Sequence, residues 1–247
     1  MLKGYTVMIK LVMFDLGGTL MMSDEDFFTK MYFKLLTEKM SEQGYDPEEL
    51  VNTIWTAVTA MAKSGGVIKN EKAFWASLES SLGSRLQADK KYFDEFYEKD
   101  FDKLACTGTE IQGASDVVKQ VKAMGIKTAL TTNPLFPSIA VCKRLSWAGC
   151  DESDFDHITS YENSSFIKPN PKYFLEVAQT LGVQASECLV VGNDTRDDMV
   201  AESVGMQVFL VNYNISNKNG DDISRYPQGG FDDLIAFIEK QNQSELF

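Results

Sequence analysis

The chain has 247 residues and a formal net charge of −12; 44% of its residues are hydrophobic and 24% charged. That is the balance of an ordinary globular protein, with apolar material for one large domain or two modest ones. The acidic surplus excludes a general nucleic-acid or anionic-membrane surface, which needs a basic face.

Met8 offers an alternative start, which would make residues 1–7 an upstream extension. The first strand is the apolar run Leu11-Val12-Met13-Phe14, and it stops at Asp15-Leu16-Gly17-Gly18-Thr19. Residues 24–103 then carry apolar and aromatic side chains at helical spacing, among them Phe28, Met31, Tyr32 and Leu35, then Val51, Ile54 and Val58. Breaks at residues 44–47 and 64–66 divide this stretch, which predicts four helices inserted after the first strand. Beyond it, helical and strand-like segments alternate. Residues 115–124 read as a helix stopped by Gly125, and 126–132 as a strand. His157 lies in a short strand, and a helix follows over 171–181. Strands over 188–192 and 207–211 flank a helix over 197–204. A loop rich in Asn, Asp, Gly and Ser spans 212–230, and an amphipathic helix spans 232–240. Such alternation predicts an α/β architecture, a Rossmann-like parallel sheet with helices on both faces, carrying the inserted helices as a second unit.

The four cysteines, Cys106, Cys142, Cys150 and Cys188, have no zinc-type spacing and read as small buried hydrophobes. One histidine cannot build a multi-histidine metal site, and a serine–histidine triad is disfavoured. No apolar run reaches spanning length and no secretory signal is visible, so the expected location is the cytoplasm, away from membranes.

Four segments carry chemistry. Asp15 ends the first strand at the carboxyl edge, where open α/β sheets bind ligands, and a carboxylate there can attack an electrophile or ligate a cation. Thr131-Thr132-Asn133-Pro134 ends a later strand with a hydroxyl and backbone amides that can hold oxyanion oxygens. Ile167-Lys168-Pro169-Asn170-Pro171 brings a compact positive charge to the start of a helix. Gly192-Asn193-Asp194-Thr195-Arg196-Asp197-Asp198 again ends a strand in carboxylates, the oxygen chemistry that Mg²⁺ prefers. Singly, each has an ordinary reading: a Gly-Gly turn, a Thr-Asn turn, a solvated lysine, and acids that cap a helix.

In this order, the four segments resemble the haloacid dehalogenase (HAD) superfamily, mostly phosphatases and phosphotransferases. The resemblance covers residues 8–20 and 106–211. It implies a core of residues 1–20 and 106–247 and a helical cap of residues 21–105. It implies Asp15 as nucleophile and Mg²⁺ ligand, with Gly17 ligating through its carbonyl. Gly18, Thr132 and Asn133 would bind the phosphoryl group, and Lys168 would stabilise charge on both nucleophile and transferred group. Asp194 would be the metal ligand, and Asp198 either a second ligand or a support behind the first; if Gly192 marks the family glycine, Asn193 takes the first position instead. Mg²⁺ is the implied cofactor and a small phosphorylated metabolite the implied substrate, with oligomeric state left open.

One departure stands out. Family phosphatases carry a second aspartate two residues after the nucleophile as general acid–base, and here that position is Gly17. Three readings follow. The chain is a phosphatase slowed by the missing shuttle, in which case Gly17→Asp should raise turnover. Or it is a non-catalytic phosphate binder. Or it is a dehalogenase or phosphonate hydrolase, the latter needing a cap lysine such as Lys63 or Lys69.

Overall fold

β1 (Leu11–Phe14) is apolar and wholly buried, as a central strand covered on both faces must be. In the computed structural model, which describes residues 8–243, it forms the middle of a six-stranded sheet; the possible extension over 1–7 lies outside the described residues. The chain then leaves the sheet through β2 (Met21–Ser23) and runs through α1 (Glu25–Ser41), α2 (Pro47–Lys63), α3 (Asn70–Leu82) and α4 (Leu86–Glu95). A π-helical turn (Phe96–Asp100) and a 3₁₀ segment (Phe101–Thr107) lead to β3 (Gly108–Glu110), which pairs antiparallel with β2. The outgoing and returning strands are thereby tied into one ribbon. The sheet is completed by β4 (Lys127–Leu130), β5 (His157–Ile158), β6 (Cys188–Gly192), β7 (Gln207–Val211) and β8 (Gln228–Gly229). Its order is β5-β4-β1-β6-β7-β8, and every pairing is parallel.

Alternation along β1 divides the core. Val12 and Phe14 pack with α5 (Ala114–Ala123), α6 (Ser138–Trp147) and α8 (Phe231–Gln243). Leu11 and Met13 face the other way, onto Tyr173, Phe174 and Val177 of α7 (Lys172–Leu181). Successive side chains of a strand point to opposite faces, so each core layer is specified residue by residue. The sheet order also fixes where a ligand can sit. The chain steps outward from β1 to β4 and β5, then returns to the opposite side of β1 at β6. That reversal opens a crevice at the carboxyl ends of β1, β4 and β6.

The four inserted helices agree with the spacing in the sequence. Asp24 and Asp46 cap α1 and α2, each accepting from a backbone amide three residues on. The helices bury a cluster of their own, including Phe28, Tyr32, Ile54, Phe74, Phe96 and Phe101, which continues onto Ala140 of α6. Phe101 is completely buried, and its ring stacks on Trp147 of α6 and meets Phe28 and Phe96 edge-on. Phe101→Ala is expected to lower the unfolding free energy by about 3–5 kcal/mol through the cavity it leaves. Denaturant titration checks this; a loss under about 1 kcal/mol would mean the helices do not depend on that contact.

Several sequence expectations need revision. The helix expected over 197–204 is a 3₁₀ segment, Met199–Val204. Side chains explain the difference: Asp194 Oδ1 accepts from the amides of Arg196 and Asp197, so the backbone there is held in a turn. The loop over 212–230 contains a 3₁₀ turn, Ile223–Arg225, and contributes β8. Lys168 lies in a loop four residues before α7 rather than at its start. α6 had no counterpart among the predicted elements. Of the cysteines, Cys150 and Cys188 are buried as expected, Cys142 is half-buried and Cys106 is exposed. Burial pushes the Cys150 thiol up to about 11 and the Cys188 thiol up to about 12, which suits packing rather than nucleophilic chemistry. Among the described residues, no helix is long and apolar enough to cross a membrane.

Candidate active site

Three strand ends and one loop supply the groups at the crevice. Asp15 follows β1, Thr132 and Asn133 follow β4, and Asn193, Asp194, Asp197 and Asp198 follow β6. All reach a cleft of about 280 Å³ that Lys168 also lines. Lys168 is its electrostatic centre. Nζ donates to Asp15 Oδ1 at 2.7 Å and to Asp198 Oδ1 at 2.5 Å. The three side chains are only 2%, 12% and 1% exposed. Burial alone would depress the Lys168 ammonium; the charges of Asp15 and Asp198 outweigh it and hold the ammonium above its ordinary value. Burial raises both carboxylic acids against the pull of Lys168, Asp15 up to about 6, with the charge of Asp198 adding to the rise.

The partners of Asp198 bear on the two roles open to it. Oδ1 is taken by Lys168, and Oδ2 accepts from the backbone amides of Asn193 and Asp194 at 3.1 and 3.0 Å. Both oxygens are engaged, which argues against direct metal ligation and for a hold on Lys168 and on the loop after β6. Asn193 is engaged as well: Nδ2 donates to the Asn214 carbonyl, and Oδ1 accepts from Thr19. Asp194 differs. Its Oδ1 organises the turn, while its other oxygen takes no hydrogen bond among the described residues. Of the two residues left open by the sequence, Asp194 is therefore the one with a carboxylate oxygen to give.

Gly18 also departs from expectation. It adopts φ 83°, a conformation that glycine takes without strain, and its amide donates to the Met21 carbonyl at 2.7 Å. That amide closes the turn after Asp15 and is not offered to a phosphoryl oxygen. Thr132 and Asn133 do line the cleft. The Thr132 carbonyl accepts from the Tyr173 hydroxyl at 2.8 Å, and Asn133 Oδ1 accepts from the Lys168 amide, so both segments are pinned from behind.

The structure brings in residues that the sequence pattern left unmarked. Glu25 from α1, Arg144 from α6, Asp197, Ser216 and Lys218 also line the cleft. Asp197 was visible in the acidic run; the others come from segments with no chemical signature. Ser23 and Asp24 border an adjoining depression with Glu25. Away from it, Ser64 hydrogen-bonds the Ser165 carbonyl, and the Phe166 ring packs against Gly66. Neither lysine considered as an amine nucleophile is in the cleft: Lys69 donates to the Asn163 carbonyl and to Glu176, and Lys63 is not among the lining residues.

In all, five carboxylates line the cleft against three basic side chains. A phosphate group would meet net repulsion there unless a cation joined it. Among the described residues, no group of three or more His, Cys, Asp or Glu side chains is arranged to hold a metal. Mg²⁺ asks for less, because it keeps several waters and substrate oxygens beside one or two carboxylates. The oxygen-only donors Asp15 and Asp194 fit it.

Comparison with known proteins identifies the family. The family model of haloacid dehalogenase-like hydrolases matches residues 9–205. The chain is 29% identical over 208 residues to the protein SUPPRESSOR OF QUENCHING 1, chloroplastic, of Arabidopsis thaliana, covering 84% of this chain but only 18% of that much longer protein. It is 24% identical over 232 residues to the phosphoglycolate phosphatase of Psychrobacter arcticus, covering 93% of this chain and 94% of that one. Among solved structures, the 2-haloacid dehalogenase of Pseudomonas syringae pv. tomato superposes with a TM-score of 0.61 at 19% identity, over 94% of this chain and 99% of that one, a likeness of fold. With the sheet order, the Asp15–Lys168–Asp198 contact and a family match over most of its length, the chain belongs to the haloacid dehalogenase-like hydrolases.

Proposed function

We propose that the chain is a Mg²⁺-dependent phosphatase acting on a small phosphorylated metabolite through an acyl phosphate on Asp15. The observation that carries this reading is the buried bridge from Asp15 through Lys168 to Asp198, at the carboxyl ends of β1 and β6. It fixes a carboxylate at the cleft floor, beside a cation able to offset its charge and that of an incoming phosphoryl group. Relatives named phosphoglycolate phosphatase and putative phosphatase support the choice of phosphorus over carbon as the electrophile.

Asp15 attacks phosphorus, the ester oxygen leaves, and water then cleaves the acyl phosphate. Lys168 holds the Asp15 carboxylate in place and neutralises charge as the phosphoryl group moves. The Thr132 hydroxyl and the Asn133 side chain hold phosphoryl oxygens. Asp198 positions Lys168. Asp15 and Asp194 would hold Mg²⁺, with the Gly17 carbonyl as a further oxygen; bound there, the ion supplies positive charge to the phosphoryl oxygens. The helices over residues 25–95 act as a cap that covers the cleft and selects the substrate.

The test is turnover of p-nitrophenyl phosphate and of a panel of small phosphorylated metabolites, with and without Mg²⁺, beside 2-chloropropionate as a haloacid control. Chelation by EDTA is expected to cut phosphate release by about 10²-fold or more, with recovery on adding Mg²⁺ and no halide release. Phosphate release unchanged in EDTA, or halide release in its place, would overturn the proposal.

A further inference from the structure

Position 17 carries no side chain, and the space beside it is filled from elsewhere in the chain. A Cβ on Gly17 would stand 2.5 Å from Glu25 Oε1 and 2.9 Å from Ser23 Oγ. Gly17 is not among the glycines with positive φ, so its backbone would accept a side chain. The space a side chain would use is taken by the movable tip of another residue, and that tip is a carboxylate.

That carboxylate is held. Glu25 Oε1 accepts from Ser23 Oγ at 2.8 Å and from Arg144 Nη2 at 3.2 Å. Arg144 is itself only 8% exposed at its side chain, with its guanidinium 4.4 Å from the centre of the Phe28 ring. Both donors converge on one oxygen, and Oε2 takes no hydrogen bond among the described residues. Glu25 lines the same cleft as Asp15, Thr132 and Lys168, yet its side chain is 58% exposed and so in exchange with water.

We infer that Glu25 is the general acid–base of this site, reaching from the first turn of α1 into the space left by Gly17. The inference rests on the phosphatase reading above. Glu25 enters the first step protonated, having taken a proton from the water with which it exchanges: Asp15 forms a bond to phosphorus while the bond to the ester oxygen breaks, and that oxygen takes the Glu25 proton. In the second step the Glu25 carboxylate takes a proton from water as the water oxygen bonds to phosphorus. The bond to Asp15 breaks, releasing phosphate and restoring both carboxyl groups to their starting state. Arg144 and Ser23 are positioning residues for Glu25.

Two esters with different leaving groups separate these steps. Phenyl phosphate needs its leaving oxygen protonated; p-nitrophenyl phosphate scarcely does. Glu25→Gln is expected to lower phenyl phosphate turnover by about 10²-fold. With p-nitrophenyl phosphate it is expected to give a stoichiometric burst of nitrophenol followed by slow turnover, since only the second step still needs the base. A paired substitution tests the geometry. Gly17→Asp alone is expected to gain little, because Glu25 already supplies the acid–base group and its exposed tip must shift to admit the new side chain. Combined with Glu25→Ala, it is expected to recover turnover about tenfold or more over Glu25→Ala. Wild-type rates in Glu25→Gln on both esters would overturn the inference, as would an equal fall on both with no burst and no recovery by the pair. If wild type and Asp15→Asn release phosphate equally, the phosphatase reading itself falls and takes this inference with it. Asp15-dependent turnover that ignores Glu25 refutes the inference alone.

Discussion

Lys168→Met is expected to abolish measurable turnover and to lower the unfolding free energy by about 3–5 kcal/mol. Both losses follow from one contact set. The ammonium is 2% exposed and bridges two carboxylates that are nearly as buried. Removing it leaves two negative charges facing each other without solvent to separate them, and that uncompensated burial is what destabilises. Burial already raises both acids with Lys168 present, so the variant is expected to take up protons at one or both as it folds. Adding Asp198→Asn removes one of the stranded charges and should restore part of the stability but none of the activity, because the Asp15 charge would still lack its partner. Denaturant titration and steady-state kinetics on the single and double variants check this. A single variant as stable as wild type would show that the bridge does not have the electrostatic weight given to it here.

Asp15→Asn is expected to give the opposite combination: turnover down by about 10⁴-fold or more, with no loss of stability at neutral pH. Lys168 keeps Asp198 as a partner in this variant. Asp15 in the folded chain is held up to about 6, against an ordinary value of 3.8, chiefly by burial. A carboxylic acid raised in this way binds its proton more tightly folded than unfolded. The folded state is therefore penalised progressively as pH rises through the interval from 3.8 to about 6, and the full penalty is present above it. Asparagine carries no such penalty. Without added metal, the stability of Asp15→Asn relative to wild type should thus grow from pH 4 to pH 6 and then level off. Paired denaturation curves across that interval read the difference directly; one that shrinks with rising pH would contradict the assignment.

The parts legible in the sequence were those whose chemistry is local. Buried parallel strands are short apolar runs, and Asp15, Thr132 and the acids after Gly192 stand where such runs stop, so strand ends and candidate groups could be read together. The inserted helices were legible because Phe28, Tyr32, Ile54 and Phe74 recur at helical spacing on faces that the structure buries. What stayed hidden depends on the third dimension. Arg144 looks like any charged residue on a helix; it is buried because the inserted helices close over α6. Glu25 is eight residues beyond Gly17 and returns beside it only because the chain turns at Gly18 and runs out along β2. Asp198 reads as one more acid in a cluster until its two oxygens are seen divided between Lys168 and two amides. The helix expected after β6 failed for a related reason, since acids that are good helix starters were also placed to bind the backbone amides of their own turn. Gly17 read as a missing part of the machinery. Its surroundings show the space beside it occupied by a carboxylate from α1.

The most direct test of the account is to stop the reaction and find the phosphoryl group. Enzyme quenched in acid during turnover of a phosphate ester in the presence of Mg²⁺, then digested and sequenced by mass spectrometry, should carry a hydroxylamine-labile phosphoryl group on the peptide containing Asp15. The same peptide from Asp15→Asn should be unmodified. Turnover that persists in Asp15→Asn, or a phosphoryl group found on any other residue, would contradict it.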